Sequence, residues 1–189
     1  MTAATAEAVQ YDQSYLDLMK SRNYDATAEA INRARWEFMA CVDMRTVLDY
    51  GCGLGYLAQF APPGVVVDTF DIAPVEQTGI QHERYDCVCF FDVLEHVPDF
   101  RALDDLFART DFVCVSVPML PLGAAMGAWK HNKFASGEHL HYFTRDSLEL
   151  FMAVRGFERL REGRPEEPIR QDIYTALFRR VGVPVDAGV

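Results

Sequence analysis

The chain has 189 residues, of which half are hydrophobic and 24% are charged. This length and composition fit one globular domain with a modest appendage, and they exclude disorder as a description of the whole chain. Eighteen Lys and Arg against 28 Asp and Glu give a formal net charge of −10. Such a surface repels phosphate backbones, so nucleic acid is an unfavourable partner.

The five cysteines have no regular spacing, and Cys87 and Cys89 stand in an apolar run, which indicates buried thiols rather than disulfides. No apolar run reaches the ~18 residues of a membrane span. The first ten residues also lack the basic and apolar parts of a secretory signal. We therefore expect a cytoplasmic protein that does not bind a membrane. The sequence leaves its oligomeric state open.

Helix-like and strand-like segments alternate along the chain, a pattern typical of a parallel sheet covered by helices. Asp25 is the candidate cap of a first helix. The apolar side of that helix is expected to hold Ile31, Ala34, Phe38, Cys41 and Val42. Strands are predicted at 46–50 and 65–70, and between them a glycine turn leads into a short helix that ends before Pro62.

The next predicted strand is 87–91, whose continuously apolar residues indicate burial on both faces. Asp99 is expected to cap the helix that follows it. A further strand is predicted at 112–117, and the Gly, Ala, Pro and Met of 119–136 indicate a long loop over the surface.

The last elements are a helix capped by Thr144 and two strands, 157–161 and 173–178, which are expected to pair antiparallel. The predicted fold class is therefore α/β, with a Rossmann-like doubly wound sheet that is mostly parallel and ends in an antiparallel hairpin. We assign residues 1–44 to a helical lid or cap segment and residues 45–189 to a single domain.

The segment VLDYGCGLGY places Gly51, Gly53 and Gly55 between a strand and a helix. The missing side chains let a ligand lie against the backbone, facing the amide end of the helix. The dinucleotide fingerprint needs a glycine where this chain has Tyr56. Asp71 ends the second strand, where a carboxylate can accept hydrogen bonds from both ribose hydroxyls. The pattern predicts a ligand that contains a nucleoside.

At these residues, and further on at FDIAP, FFDVLEHVPD and GEHLHYFTRDSLELF, the chain resembles the class I S-adenosylmethionine-dependent methyltransferases. Four matches in order over residues 45–160 are more specific than one glycine loop. The resemblance implies S-adenosyl-L-methionine as cofactor. The implied contacts are Asp49 with the amino group, the backbone of Gly51, Cys52 and Gly53 with the methionine portion, Asp71 with the ribose, and the backbone of Phe91 and Asp92 with the sulfonium end.

The interval after the second strand departs from that family, because only 14 residues separate Asp71 from Asp86. The family normally fits a helix, a third strand and an adenine-contacting acid there. We therefore predict that the third strand is reduced or missing and that this side of the nucleoside is exposed. Ile72, Gln81 and His82 are the candidates to replace the missing acid.

The sulfonium already activates the methyl group, so the protein mainly positions the acceptor and, where needed, takes up a proton. The candidate bases are His96, His139 and His141, which follow the carboxyl ends of predicted strands. In an extended segment only one of His139 and His141 can face the pocket, so the other is expected to be structural. Local capping or pairing is the alternative for His96.

Asp92, Glu95 and His96, followed by His139 or His141, also supply the carboxylates and imidazoles that divalent cations bind. This run resembles the metal-dependent methyltransferases acting on RNA 3′ ends, although they have Glu at the position of Asp92. The surrounding sequence fits metal-free enzymes as well. We therefore predict a site without metal and keep metal-assisted transfer as an alternative.

The overall prediction is methyl transfer from S-adenosyl-L-methionine to O or N of a small-molecule acceptor. The rival hypotheses are a nucleic-acid methyltransferase and a non-catalytic cofactor-binding subunit. Tyr11 and Tyr15 are expected to fold over the cofactor as part of the lid, with packing at the edge of the fold as the alternative. Trp129 and its basic neighbours are candidate substrate contacts, with a solvated basic loop as the alternative. Surface ion pairing is the simpler explanation for Arg164, Arg170 and Asp172, with contact to a carboxylate or phosphate of the acceptor as the alternative.

Overall fold

The computed structural model describes residues 14, 17, 25–121, 123, 129–133 and 135–183. Two 3-10 turns, Leu94–His96 and Phe100–Leu103, connect the third strand to the third helix. The helices and strands in chain order are α1 (Asp25–Met39), β1 (Thr46–Tyr50), α2 (Tyr56–Gln59), β2 (Val66–Phe70), β3 (Tyr85–Phe91), α3 (Asp104–Ala108), β4 (Thr110–Pro118), α4 (Arg145–Ala153), β5 (Phe157–Gly163) and β6 (Ile173–Arg180).

The strands form one six-stranded sheet in the order β2-β1-β3-β4-β6-β5. The first four strands in this order run parallel, whereas β6 is antiparallel to both of its neighbours. Tyr50 pairs with Phe70 of β2 and with Phe90 of β3. These three strands therefore end at the same edge of the sheet, and the residues that follow them meet there.

Side chains alternate between the two faces of the sheet, and helices cover both faces. Val47 packs with Trp36 of α1, whereas the next residue, Leu48, belongs to the opposite core with Leu148 and Met152 of α4. This arrangement confirms the predicted doubly wound α/β fold with a C-terminal antiparallel hairpin. Among the described residues we find no helix with the length and apolar character needed to cross a bilayer.

Helix α1 ends at Met39, earlier than the sequence pattern indicated. Cys41 lies beyond the helix and is exposed, so its place on the apolar side was wrong. Trp36 and Met39 are buried instead, and Trp36 Nε1 donates to the carbonyl of Leu57 at 3.0 Å. The predicted cap, Asp25, is the first residue of α1 rather than the residue before it.

The segment between β2 and β3 contains no strand, which confirms the predicted loss of the third strand of the family. It instead covers the edge of β2. The amide of Thr69 donates to the Thr78 hydroxyl at 2.9 Å, and the amide of Thr78 donates to the Thr69 hydroxyl at 3.0 Å. The amide of Gly79 adds a bond to the Thr69 carbonyl at 3.0 Å. A short segment thus satisfies the backbone groups that an edge strand exposes.

The same segment is held at its end by the carboxylate of Asp68, which is buried. This carboxylate accepts from the Tyr85 hydroxyl at 2.6 Å and the Gln81 amide at 3.0 Å, and His82 Nδ1 lies 2.8 Å from it. Burial alone would raise the pKa of Asp68, but the hydrogen bonds from Tyr85, His82 and Gln81, together with the proximity of the His82 imidazole, outweigh it and lower this pKa.

The predicted caps of the C-terminal half are present, with one change. Asp99 caps the 3-10 turn by accepting from the Arg101 amide at 3.0 Å, and α3 begins only afterwards. Thr144 forms a capping box with Ser147 at the start of α4, with bonds of 3.2 and 2.9 Å between their side chains and amides. Strand β4 extends through Pro118, one residue further than predicted.

Candidate active site

The residues that follow β1, β2 and β3 line a single cavity of about 530 Å³. His96, a predicted base, also lines this cavity, whereas Gln81, His82, His139 and His141 do not. Tyr11 and Tyr15 lie outside the described residues. The predicted cofactor-binding residues in the cavity wall are Asp49, Gly51, Cys52, Gly53, Asp71, Ile72, Phe91 and Asp92.

The glycine turn after β1 needs Gly51 for a steric reason. Its φ is +79°, and a Cβ at this position would lie 2.3 Å from Cγ2 of Val93. The amides of Gly51 and Cys52 both donate to the carbonyl of Phe70, at 2.7 and 3.1 Å. The turn is therefore tied to the end of β2 and packed directly against the chain that leaves β3.

Asp71 connects the glycine turn with the segment after β2. One carboxylate oxygen accepts from the Gly53 amide and the other from the Ala73 amide, both at 2.8 Å. Each oxygen keeps a second lone pair, so the carboxylate can still accept from a ligand. Helix α2 has only four residues, so its amide end adds little field at the cavity, and the Gly53 amide serves Asp71 instead.

Asp49 is a buried carboxyl group in the wall of the cavity. Burial raises its pKa to about 7, the positive charge of Arg35 opposes the rise, and the negative charge of Asp71 adds to it. A buried acid of this kind gains most from a cationic ligand, because the ligand supplies the charge partner that the protein provides only in part.

An ion cluster of Arg35, Asp92, Glu166 and Arg170 lies at one side of the cavity, with Glu166 buried and the other three partly exposed. Asp92, at φ +59°, accepts from Arg170 at 2.6 and 2.8 Å, and Arg35 lies 3.4 Å away. Although burial opposes ionisation, Arg170 lowers the pKa of Asp92 to about 2. Glu166 has 0% of its surface exposed and accepts from Arg35 at 2.8 Å and from Arg170 at 3.0 Å.

The sequence does not predict this cluster. It favours surface ion pairing for Arg170 and does not single out Glu166, whereas Arg170 lines the cavity. The connection between β5 and β6 is polar like many exposed turns, and only its return over the end of β3 brings these side chains together. The two Glu and two Arg residues of this connection are the weak signal that was available.

His96 lies in the 3-10 turn after β3, and its ring is oriented by the backbone. Nδ1 lies 2.7 Å from the carbonyl of Glu138, which can only accept, so Nδ1 carries the proton. In the neutral ring the lone pair is then on Nε2. The ring centroid of His139 lies 4.8 Å from that of His96, and the two rings are nearly perpendicular.

His139 is buried, with 7% of its surface exposed. Burial lowers its pKa to about 4, and the proximity of His96 adds to the effect, so the imidazole is neutral near pH 7. His141 is placed differently. Its Nε2 donates to the carbonyl of Val97 at 2.9 Å, and its ring packs on Phe100 with centroids 4.4 Å apart.

Glu95 precedes His96 in the chain and is also a buried acid, with 2% of its surface exposed. Burial raises its pKa well above the ordinary value, and the negative charge of Asp92 raises it further. Its carbonyl accepts from the amides of Leu140 and His141 at 2.7 and 3.1 Å. The chains that leave β3 and β4 are thus held together at this residue.

An unpaired cluster of buried polar atoms extends from Glu95 into the segment after β4. Neighbouring rings of its members are 5.6 to 6.1 Å apart from Trp129 to His131 and Tyr142, and from Tyr142 to His139. Apart from Arg155 Nε, all the buried side-chain atoms without a hydrogen-bond partner in the described part of the chain are in this cluster. They are Glu95 Oε2, Trp129 Nε1, His131 Nε2, His139 Nδ1 and the Tyr142 hydroxyl.

The basic residues beside Trp129 are paired. Lys130 lies 3.5 Å from Asp172, and Lys133 lies 3.2 Å from Glu138. Trp129 itself is buried, so this part of the predicted surface loop contributes to the interior.

A doubly wound sheet with a glycine turn, a strand-end carboxylate and a cavity at the strand ends defines a Rossmann-like enzyme of the nucleoside-binding kind. The family model described as "Methyltransferase domain" matches residues 19–162, more than half of the chain. The chain belongs to this methyltransferase family, as the four sequence matches predicted.

Solved structures show the same fold. Magnesium protoporphyrin IX methyltransferase from Synechocystis PCC 6803 with bound SAH is 18% identical, with 83% of each chain covered and a TM-score of 0.55. TnmH is 18% identical with a TM-score of 0.64, over 88% of this chain and 57% of its own. CalO1, a methyltransferase in calicheamicin biosynthesis in its SAH-bound form, is 16% identical with a TM-score of 0.62, over 89% and 59%. Comparison with curated protein sequences finds no significant match.

Proposed function

We propose that this methyltransferase transfers the methyl group of S-adenosyl-L-methionine to an oxygen or nitrogen of a small-molecule acceptor. One observation carries the proposal: the carboxyl groups of Asp49 and Asp71 flank the glycine turn in a single cavity, and His96 lines the same cavity. An ammonium, a ribose and a reacting group each have a matching residue there.

The cofactor is proposed to bind along the ends of β1 and β2. Its ammonium group pairs with Asp49, and its ribose hydroxyls donate to the free lone pairs of Asp71. The backbone of Gly51 to Gly53 follows the methionine portion, and Phe91 and Asp92 border the sulfonium. Ile72, which is 70% exposed and lies in the cavity wall, is proposed as the adenine contact. Two of the similar structures contain SAH, which is the demethylated form of this cofactor.

The acceptor is proposed to enter at the end of the cavity that holds His96, with the unpaired cluster behind that ring. Buried donors and acceptors without partners cost about 1–3 kcal/mol each, and a polar group that reached them past His96 would remove this cost. His96, with its lone pair on Nε2, meets the acceptor, while His139 positions the His96 ring. His141 supports the loop through Val97.

Charge favours a small acceptor over nucleic acid. The net charge is −10, and the lysines beside Trp129 are already paired with acids. We also propose a cytoplasmic location, because all five cysteines are free thiols. Residues 1–44, with Tyr11 and Tyr15, are proposed to act as a lid over the cofactor.

Calorimetry tests the cofactor. SAH is titrated into the purified chain, into Asp71→Asn and into Glu76→Gln, an exposed carboxylate of the same segment. We expect wild type and Glu76→Gln to bind alike and Asp71→Asn to bind 10- to 100-fold more weakly, because it loses a charged acceptor for the ribose. Absence of heat with SAM and SAH, together with binding of NAD, would refute the proposal.

Turnover tests the transfer. The chain is incubated with SAM carrying a labelled methyl group and with pools of small hydroxyl and amine acceptors, and separately with RNA. We expect label in small molecules, and we expect His96→Asn to lower turnover at least 100-fold while SAH affinity stays within threefold. Label in RNA alone would identify the nucleic-acid alternative, and SAH binding without transfer to any acceptor would identify the non-catalytic subunit.

A further inference from the structure

Three side chains of the types that bind metal ions meet beside the acceptor end of the cavity, and of the three His96 lines the cavity itself. One ligand atom from each of Glu95, His96 and His139 lies within 4.8 Å of the other two. Donors bound to one ion at about 2.1 Å lie roughly 3–4 Å from each other, so the side chains need to move inward by about 1 Å. The backbone that carries them is already held in place, because the Leu140 amide donates to the Glu95 carbonyl and the His96 ring bonds to the Glu138 carbonyl.

Two of these side chains have buried polar atoms that nothing in the described part of the chain satisfies. They are Oε2 of Glu95, a residue that is 2% exposed, and Nδ1 of His139, a residue that is 7% exposed. A native protein leaves few such atoms, and each one calls for a ligand, an ordered water or an ion. A carboxylate oxygen and imidazole nitrogens in one place are lone-pair donors, which a cation joins more effectively than a neutral molecule.

The second ring nitrogen of His96, Nδ1, makes the hydrogen bond that is typical of a histidine bound to a metal. A histidine that binds a metal usually donates its other N–H to a carbonyl or carboxylate, which fixes the ring and its tautomer. Nδ1 of His96 makes this bond with the carbonyl of Glu138 at 2.7 Å. Asp92 is nearby, but its oxygens pair with Arg170 and are not among the ligand atoms that converge here.

We propose that Glu95, His96 and His139 bind a divalent transition-metal cation at the acceptor end of the cavity. Two imidazoles and one carboxylate favour zinc, manganese, cobalt or iron over magnesium and calcium, which prefer oxygen ligands only. Three protein ligands leave coordination positions open for an oxygen of the acceptor.

The catalytic role of the cation rests on the proposed methyl transfer, whereas its binding does not. A bound cation would lower the pKa of an acceptor hydroxyl beside it, and the proton would pass to water. A lone pair of the acceptor oxygen would form the O–C bond while the C–S bond breaks, and the electron pair of the C–S bond would stay on sulfur, which gives SAH. In this role the Nε2 lone pair of His96 would hold the cation instead of taking the proton of the acceptor.

The test is binding of Co²⁺ to the untagged full chain after treatment with a chelator. Calorimetry gives the affinity and number of sites, and visible absorption of Co²⁺ reports nitrogen and oxygen ligation. We expect one site in the wild type, and we expect Glu95→Gln and His139→Asn each to weaken it at least tenfold. His82→Asn, which removes an imidazole that lies outside the set and does not line the cavity, is the control and should bind Co²⁺ as the wild type does.

No saturable binding of Co²⁺ by the wild type would overturn the proposal, and this measurement needs no variant. Equal affinity in wild type, Glu95→Gln and His139→Asn, with thermal unfolding showing that the variants are folded, would also overturn it. SAH calorimetry on the same samples separates the two proposals. If the chain binds SAH but not Co²⁺, only the proposed cation site is refuted. If it binds Co²⁺ but not SAH, only the proposed function is refuted.

Discussion

The two ends of the cavity are built in different ways. At the end formed by β1 and β2, the turn and Asp71 already have partners: the Gly51 and Cys52 amides bond to Phe70, and the Asp71 carboxylate accepts from two amides. Behind His96 at the other end, Glu95 and His139 are buried with polar atoms that have no partner in the described part of the chain.

This difference indicates which end is already formed in the free protein and which end needs a bound ligand to satisfy its polar atoms. The first end is preorganised, so a ligand adds to bonds that exist and pays little for ordering the protein. The second end carries unsatisfied atoms, whose cost of about 1–3 kcal/mol each is recovered only when something binds. In the proposed binding mode, specificity for the acceptor therefore depends on the less stable end of the cavity.

Disruption of the ion cluster around the buried Glu166 is expected to have the largest effect on the free energy of unfolding. Glu166→Gln removes the charge that Arg35 and Arg170 share in a fully buried position. We expect the free energy of unfolding to fall by about 3–5 kcal/mol in urea titrations. Glu167→Gln is the matched control, because Glu167 is exposed and lies 3.6 Å from Arg164, so a change of about 0.5 kcal/mol or less is expected. Similar losses in the two variants would contradict a stabilising role for the cluster.

The preorganised end is tested by Gly51→Ala. The added Cβ would meet Val93 Cγ2 at 2.3 Å at a φ of +79°, so overpacking and backbone strain together should cost about 2–4 kcal/mol. Gly64→Ala is the control, because Gly64 has φ +89° but open space around its Cβ position. It should lose only the backbone part, about 1–2 kcal/mol. Adding Val93→Ala should recover part of the loss in Gly51→Ala, and a double variant with no recovery would exclude the clash as the cause.

The pH dependence of SAH affinity tests whether Asp49, at the same end of the cavity, pairs with the ammonium group of the ligand. The pKa of Asp49 is about 7 in the free protein. An ammonium ligand favours the charged carboxylate, so binding releases a proton below pH 7. Affinity should therefore rise with pH by up to about tenfold per unit and level off above 7. Calorimetry between pH 5.5 and 8 in two buffers measures both the affinity and the released proton.

Asp49→Asn is the matched variant for this titration. Its SAH affinity should be weak and independent of pH. Because the pKa of Asp49 is raised on folding, the wild type loses stability as pH increases from about 4 through 7, and the variant should be the more stable protein above pH 7. A wild-type affinity that does not change over this range would show that Asp49 does not face the ammonium group.

Thr144→Ala should have the smallest effect and should leave both ends of the cavity unchanged. It removes the capping box at the start of α4, which is expected to cost about 1 kcal/mol of unfolding free energy. SAH affinity and Co²⁺ affinity should match the wild type. A change in either would show that α4 is coupled to the cavity, which its position in the core does not predict.

The preorganised end could be predicted from the sequence because its determinants are local. A glycine turn after a strand, an acid after the next strand and the shared edge of parallel strands are enough to bring Asp49, Gly51 and Asp71 together. The missing strand after β2 followed from counting residues between Asp71 and Asp86.

The other end depends on contacts between distant segments, which periodicity does not encode. Alternation predicted that one of His139 and His141 faces the pocket, but neither lines the cavity, because the Val97 carbonyl holds His141 and His139 is buried against the ring of His96. Glu166 reaches Arg35 across 131 residues of chain. No local pattern distinguishes it from the exposed Glu167 beside it.

The short segment after β2 leaves Ile72 with 70% of its surface in solvent at the rim of the cavity. In the proposed binding mode the purine edge of the cofactor faces outward at this rim. Bulky substituents on the purine, such as a fluorophore or the spacer of an affinity resin, would then extend into water without a clash. The enzyme is therefore suited to capture and labelling with purine-modified cofactor analogues that a closed nucleoside pocket would reject.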